Sequence, residues 1–114
     1  MVMIEIKNKQ IFDTLLQGIG IKPVVLYFSS PKCTICKTTT TPLITSLEKK
    51  YNNILFASID TSDRNLKSLT EIYKVQMLPT IIILKKQNGS ILGNTLVGTN
   101  TQFLESKLLE SIKI

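Results

Sequence analysis

The sequence has no histidine and no tryptophan, and it holds only two cysteines and one arginine, Arg64. A structural zinc ion takes four ligands, so two cysteines without histidine fall short of a site unless two chains share one. Proteins that bind nucleic acids usually carry a basic stripe rich in arginine. The net charge of +6 comes here almost wholly from scattered lysines, which favours a solvated lysine surface. We therefore predict no metal, no cofactor and no nucleic-acid partner.

Long apolar runs are also missing, and glycine and proline are few. No run approaches the roughly 20 residues of a membrane span, and residues 1–9 lack the basic and apolar regions of a signal peptide. Five glycines, four prolines and 43% hydrophobic residues are typical of a globular protein rather than a disordered or fibrous one. We expect a single domain over residues 1–114, monomeric and cytoplasmic, with no membrane partner.

The two cysteines that are present, Cys33 and Cys36, lie three positions apart, directly after the apolar run 24–28. The pattern predicts a strand, a tight turn and the start of a helix. At a helix N-terminus the first sulfur lies beside unpaired backbone N–H groups, and the helix dipole favours a thiolate. The flanking Lys32 and Lys37 add positive charge. We predict that Cys33 is a nucleophile with a pKa below the free value of about 8.5, and that Cys36 is the resolving thiol.

The apolar patterns predict the element order β-α-β-α-β-α-β-β-α. Apolar runs at residues 24–28 and 54–59 are typical of central strands that helices cover on both faces. The other strands are predicted at residues 2–6, 81–84 and 91–97, and three of the helices at residues 9–17, 33–51 and 102–112. The remaining helix is predicted to be capped by Asp60 and Ser62 or Asp63 and to run to about Tyr73. Crossover connections followed by a hairpin at residues 87–90 give a mixed sheet with helices on both faces, which is an α/β fold.

Helical spacing also predicts which side chains face the core. Glu48 is expected outside, on the solvent face of the second helix. The inward side chains of the last two helices are expected to be those of Leu66, Leu69, Ile72, Phe103, Leu104, Leu108 and Ile112.

The second helix contains an irregular stretch. Residues 38–41 are four threonines, which are poor helix formers, and Pro42 removes one backbone donor and clashes with the preceding turn. A kink is predicted there. The alternative is that the helix breaks at Thr41 and restarts.

A C-x-x-C motif alone is moderately specific, but with an apolar-Pro-Thr sequence opening a later strand it becomes a strong signal. The chain has both, together with other marker residues: Cys33-Thr34-Ile35-Cys36-Lys37, Pro42, Asp60, Leu78-Pro79-Thr80, Gly89 and Gly98. In these residues the chain resembles the thioredoxin family, and the resemblance spans nearly all of it. The resemblance implies a thioredoxin fold, with a central mixed sheet of about five strands and about four helices.

The resemblance also implies a substrate-binding surface. In the family the proline that matches Pro79 is cis and lies against the dithiol, and the residue before it, here Leu78, offers backbone hydrogen bonds to an extended substrate. The glycine that matches Gly98 lines the same surface, because a side chain would crowd the approaching peptide. We add Lys32 to these substrate-binding residues. The alternatives are a trans proline at the start of an edge strand and a plain turn glycine.

Three departures from the family bear on mechanism. Thioredoxins proper carry Trp-Cys-Gly-Pro-Cys, whereas this chain has Lys32 before the motif and Thr-Ile within it, and Pro42 lies one residue further from the second cysteine. The family's buried aspartate, which helps to deprotonate the resolving cysteine, is matched by Tyr27, and its partner lysine by Phe56. An apolar interior beneath Cys36 is therefore expected. Our hypothesis is that this thiol lacks an internal proton acceptor and that exchange is slower than in thioredoxin.

The favoured function is a thiol–disulfide oxidoreductase that reduces protein disulfides through Cys33 and Cys36 and contributes to cell redox homeostasis. Its expected partners are protein disulfides and a recycling reductase, either thioredoxin reductase or an equivalent. The motif does not fix the direction of electron flow. The alternative is a binding or scaffold module of the same fold, with an idle or sensory dithiol.

Overall fold

The computed structural model describes residues 3–18 and 22–112, apart from the side chains of Gln87 and Ile112. Five strands form one mixed sheet in the order β1-β3-β2-β4-β5. The first three strands run parallel, β4 is antiparallel to β2, and β5 is antiparallel to β4. The strands are β1 (Ile4–Glu5), β2 (Val24–Ser29), β3 (Leu55–Asp60), β4 (Thr80–Gln87) and β5 (Ser90–Val97).

Four α-helices flank the sheet, and the predicted α/β order and thioredoxin fold are confirmed. The helices are α1 (Lys9–Gln17), α2 (Thr41–Lys50), α3 (Lys67–Ile72) and α4 (Leu104–Ile112). Within the described part of the chain no helix is long and apolar enough to cross a membrane.

The sheet separates two apolar layers. On one face Phe12 of α1 and Leu69 of α3 pack against side chains of the central strands. On the other face Ile44 of α2 and Leu108 of α4 do the same. Every side chain from Val24 to Phe28 is at most 2% exposed, because β2 lies in the middle of the sheet with helices above and below it.

Local sequence signals fix several element ends. The Asn8 side chain accepts a hydrogen bond from the Ile11 backbone N–H at 2.9 Å, which caps α1. Asn88 and Gly89 have positive φ angles of 53° and 83°, the backbone of a tight hairpin turn whose twist matches the strands. The β4–β5 hairpin is thereby held in register from Thr80–Val97 to Gln87–Ser90.

Three predicted side-chain orientations are wrong. Ile72 is 60% exposed, because each step of three residues from Leu66 falls about 60° short of a full α-helical turn. Phe103 is 51% exposed, since it ends a 3₁₀ segment, Gly98–Phe103, that precedes α4. Glu48 is only 6% exposed, because it lies one turn after Ile44 on the covered face of α2. The side chain predicted inside at position 112 lies outside the described residues, as does Val2 of the first predicted strand.

Candidate active site

The segment that follows β2 carries both cysteines and is not a single regular helix. Two helical residues lead into a π-helical turn over Cys36–Thr40, and α2 begins at Thr41. The Thr41 backbone N–H donates to the carbonyl of Cys36, five residues back. Pro42 falls in the first turn of α2, where its missing N–H costs little. The predicted kink therefore takes the form of a π turn.

This turn accounts for the unusual spacing between Cys36 and Pro42. A π turn closes over five residues where an α turn closes over four, so it takes up one extra residue. The chain has one residue more between the second cysteine and the proline than the family pattern. The irregular turn is thus the structural counterpart of a one-residue insertion.

The two sulfurs form a disulfide and differ in accessibility. The Cα atoms of Cys33 and Cys36 lie 5.3 Å apart and their sulfurs are bonded. Cys33 is partly exposed, whereas Cys36 is 2% exposed. The Cys36 backbone N–H donates to the Cys33 sulfur at 3.2 Å. This is the kind of donor that stabilises a thiolate at a helix start.

The loop before β4 lies next to this disulfide. The Leu78–Pro79 peptide bond is cis, as the resemblance implies. Thr80 is paired with Phe28 of β2, so Pro79 lies at the end of β2 from which the chain continues to Cys33. Both Cys33 and Leu78 pack on the apolar cluster that contains Cys36.

Gly98 belongs to the same group of loops. Its N–H donates to the Pro79 carbonyl at 2.9 Å, and its φ of 60° lies in the left-handed region that favours glycine. A Cβ atom there would lie 3.4 Å from the Met77 sulfur. The backbone conformation alone favours glycine, and the position also borders the loop of the cis proline.

Two apolar side chains at this end of the sheet were not predicted as part of the site. Ile35, between the cysteines, is 44% exposed, and Met77, directly before Leu78, is 59% exposed. Ile35 is an apolar residue within the motif and Met77 is one directly before Leu78, and these positions are the sequence signal that could have identified them. Lys32 is exposed and, among the residues that the structure describes, makes no ion pair.

Beneath Cys36 the interior is less apolar than expected. Phe56 is buried and lies in the same cluster as Cys36, but the Tyr27 hydroxyl lies 3.3 Å from the Cys36 carbonyl oxygen and 3.0 Å from Thr41 Oγ1. Burial raises the pKa of Tyr27, and the hydrogen bond with Thr41 offsets part of that rise. The phenol is therefore protonated at neutral pH and is not a base for the thiol.

A polar cavity of about 410 Å³ reaches the resolving cysteine. Its lining includes Cys36, Lys37, Thr41, Ser58 and Asp60. The Asp60 carboxylate already accepts hydrogen bonds from the backbone N–H and the hydroxyl of Ser62. The predicted slow exchange at Cys36 stays a prediction.

Comparison with known proteins decides the family. The family model described as Thioredoxin matches residues 3–110. The chain belongs to the thioredoxin family. It is 32% identical over 106 residues to rabbit (Oryctolagus cuniculus) thioredoxin, covering 93% of this chain and 95% of that one. With a C-x-x-C pair at disulfide distance, it is a thiol–disulfide oxidoreductase, and its relatives of this family reduce protein disulfides.

Solved thioredoxin structures share the fold. The crystal structure of spinach chloroplast thioredoxin f, short form, superposes with a TM-score of 0.84 at 25% identity, covering 97% of this chain and 94% of that one. A chain from a complex of ferredoxin:thioredoxin reductase with thioredoxin f2 gives a TM-score of 0.83 at 22% identity, covering 97% and 96%.

Proposed function

We propose that this thioredoxin-family protein reduces disulfides of partner proteins with Cys33 as nucleophile and Cys36 as resolving thiol. The Cys33 thiolate attacks one sulfur of the substrate disulfide, and the first substrate thiolate leaves. Cys36, having lost its proton, then attacks the Cys33 sulfur, and the second substrate thiolate leaves. Two electrons pass from the dithiol to the substrate, and the Cys33–Cys36 disulfide remains.

The observation that carries these roles is the difference between the two sulfurs. Cys33 is reachable from solvent and receives the Cys36 N–H at 3.2 Å, while Cys36 is buried behind it. An incoming disulfide can therefore meet only the first sulfur. The second can act only within the chain, on a mixed disulfide that Cys33 has already formed.

The loops around the disulfide support a docking surface for an extended substrate segment. The backbone of Leu78 would pair with the segment, and Pro79, Gly98 and Lys32 would line its path. Exposed Ile35 and Met77 would bury apolar substrate side chains.

The cycle needs a reductase to return the disulfide to the dithiol. We propose a partner of the thioredoxin-reductase type, and the likeness to a chain of the ferredoxin:thioredoxin reductase complex supports this class of partner. We place the reaction in the cytoplasm, where the thiol pool favours reduction of disulfides. The chain would work as a monomer without a bound cofactor of its own.

Insulin reduction with dithiothreitol as the electron source tests the proposal. The wild type is expected to accelerate precipitation of the insulin B chain, and Cys33→Ser to abolish the effect. Cys36→Ser is expected to accumulate a covalent complex with insulin that reducing agent releases, because the second step is blocked. Cys33→Ser is the matched control, since it keeps one sulfur and should trap nothing. A scaffold without redox activity would leave insulin unreduced, and trapping by Cys33→Ser instead would reverse the two roles.

A further inference from the structure

The hydroxyl of Tyr27 connects the two ends of the π turn. It lies 3.3 Å from the carbonyl oxygen of Cys36, the first residue of the turn. It also lies 3.0 Å from Oγ1 of Thr41, the residue that follows the turn. Tyr27 itself is 2% exposed and fixed in the centre of β2 between β3 and β4. A rigid strand thus holds both ends of an irregular helical segment.

The hydrogen bonds can run in only one consistent direction. A carbonyl oxygen only accepts, so the phenol O–H donates to Cys36, and Thr41 Oγ1–H donates to the phenol oxygen. The Cys36 carbonyl also accepts from the Thr41 N–H. Thr41 is therefore connected to the same carbonyl by two routes. Its backbone N–H donates to the carbonyl directly, and its hydroxyl is linked to it through the phenol of Tyr27.

This arrangement selects the π turn over an ordinary α turn. In an α turn the Cys36 carbonyl would accept from the Thr40 N–H, and the segment would contain one residue fewer per turn. The core side chains Ile44 and Leu47 fix α2 on the sheet. If the π turn became an α turn, α2 would therefore stay in place and the residues before the turn would move. Cys36 would rotate by about 100° relative to α2. That rotation would carry its sulfur away from Cys33.

We infer that Tyr27 and Thr41 are positioning residues that hold the π turn in register and so keep the Cys36 sulfur aimed at Cys33. The inference rests on the proposed function, in which Cys36 attacks a mixed disulfide on Cys33. Orientation of a thiol next to its target raises its effective concentration in both the resolving step and the final disulfide. The first step, attack by Cys33 on a substrate, does not use the Cys36 sulfur.

Three variants and one control test the inference. Tyr27→Phe removes the bridging hydroxyl and keeps the ring, Thr41→Val removes the other end of the connection, and the double variant removes both. Tyr51→Phe is the matched control. Its hydroxyl also makes one side-chain hydrogen bond, to Glu105 at 2.7 Å, but at the far end of α2.

The measurements separate positioning from general destabilisation. Loss of a buried hydrogen bond corresponds to about a fivefold change in an equilibrium constant. In redox equilibration against glutathione, Tyr27→Phe and Thr41→Val should each lower the stability of the Cys33–Cys36 disulfide about fivefold, which moves its potential about 20 mV less negative. Release of a preformed mixed disulfide from Cys33 should slow by a similar factor. Alkylation of reduced Cys33 by iodoacetamide should slow less, because it depends on the Cys36 backbone N–H alone and not on the Cys36 sulfur.

The double variant should behave like either single variant, because all three break one connected set of bonds. Tyr51→Phe should lower the free energy of unfolding without moving the potential. An unchanged potential in both Tyr27→Phe and Thr41→Val, or the same shift in Tyr51→Phe, would overturn the inference. The glutathione equilibration needs only the two sulfurs, so it gives its answer even if the wild type fails to reduce insulin and the proposed function is wrong.

Discussion

At the residue scale, Gly98 has two possible reasons to be glycine. Its φ of 60° excludes most side chains on backbone grounds alone. Its N–H also bonds to the Pro79 carbonyl, which puts it beside the loop where a substrate would dock. The structure directly supports the first reason, that the backbone conformation at this turn favours glycine. The second reason, a role in substrate docking, is a prediction that a suitable substitution can test separately.

Gly98→Ala should lower the free energy of unfolding by about 1 kcal/mol, because alanine is strained in the left-handed region. Gly98→Asn should cost less, since asparagine tolerates that region, yet it places a side chain over the docking loop. If Gly98 lines the substrate path, Gly98→Asn should lower kcat/KM for insulin severalfold and leave reduction of a small disulfide, such as hydroxyethyl disulfide, unchanged. Gly93→Ala is the control, because Gly93 has no positive φ. Equal kcat/KM for Gly98→Asn and wild type would leave only the turn role.

At the scale of elements, the π turn is the part of the fold that departs most from a regular helix. It holds three of the four consecutive threonines, and its extra residue matches the extra residue between Cys36 and Pro42. The elements around it are ordinary. If the turn is an insertion absorbed locally, its removal should leave the rest of α2 in place.

Deletion of Thr39 should therefore be tolerated. The turn would close as an α turn, Ile44 and Leu47 would keep their places, and the free energy of unfolding should change by no more than about 1 kcal/mol. Deletion of Thr45, inside α2, is the matched control. It rotates one half of the helix about 100° against the other and should cost more than about 3 kcal/mol through lost core packing. Urea denaturation measures both, and a Thr39 deletion as damaging as the Thr45 deletion would show that the turn is required for folding.

On the scale of the whole molecule, the sequence predicts the sheet better than the helix surfaces. The continuous apolar run at residues 24–28 leaves no face for solvent, so its central place follows from composition alone. Ile72 was misplaced because steps of three residues fall short of full α-helical turns. Phe103 was misplaced because a 3₁₀ segment precedes α4, and no residue pattern in the sequence indicates that segment.

The sequence also predicted the candidate site only in part. Cys33, Cys36 and the cis bond at Pro79 followed from the motif and the family resemblance. The bridging role of the Tyr27 hydroxyl could not be predicted, because a buried tyrosine needs a partner but its sequence does not say which. The π turn was expected only as a kink, since proline spacing shows that a helix is irregular and not how the irregularity is resolved.

The lysine surface makes the attraction between the whole molecule and a substrate depend on the charge of the substrate. The net charge is +6, and exposed Lys32 and Lys37 flank the disulfide. Like-charged substrates should be repelled and acidic ones attracted over the Debye length, which falls from about 30 Å at 0.01 M salt to about 3 Å at 1 M.

A disulfide peptide flanked by glutamates should therefore be reduced faster than one flanked by lysines at low salt, and the difference should vanish near 1 M. Lys32→Gln should narrow the difference at low salt. Lys86→Gln is the matched control, because it removes the same charge from the other end of β4, about 20 Å along the strand from Thr80. Equal effects of the two substitutions would mean that total charge alone steers the encounter. A larger effect of Lys32→Gln would make the lysine beside the nucleophile a determinant of substrate choice.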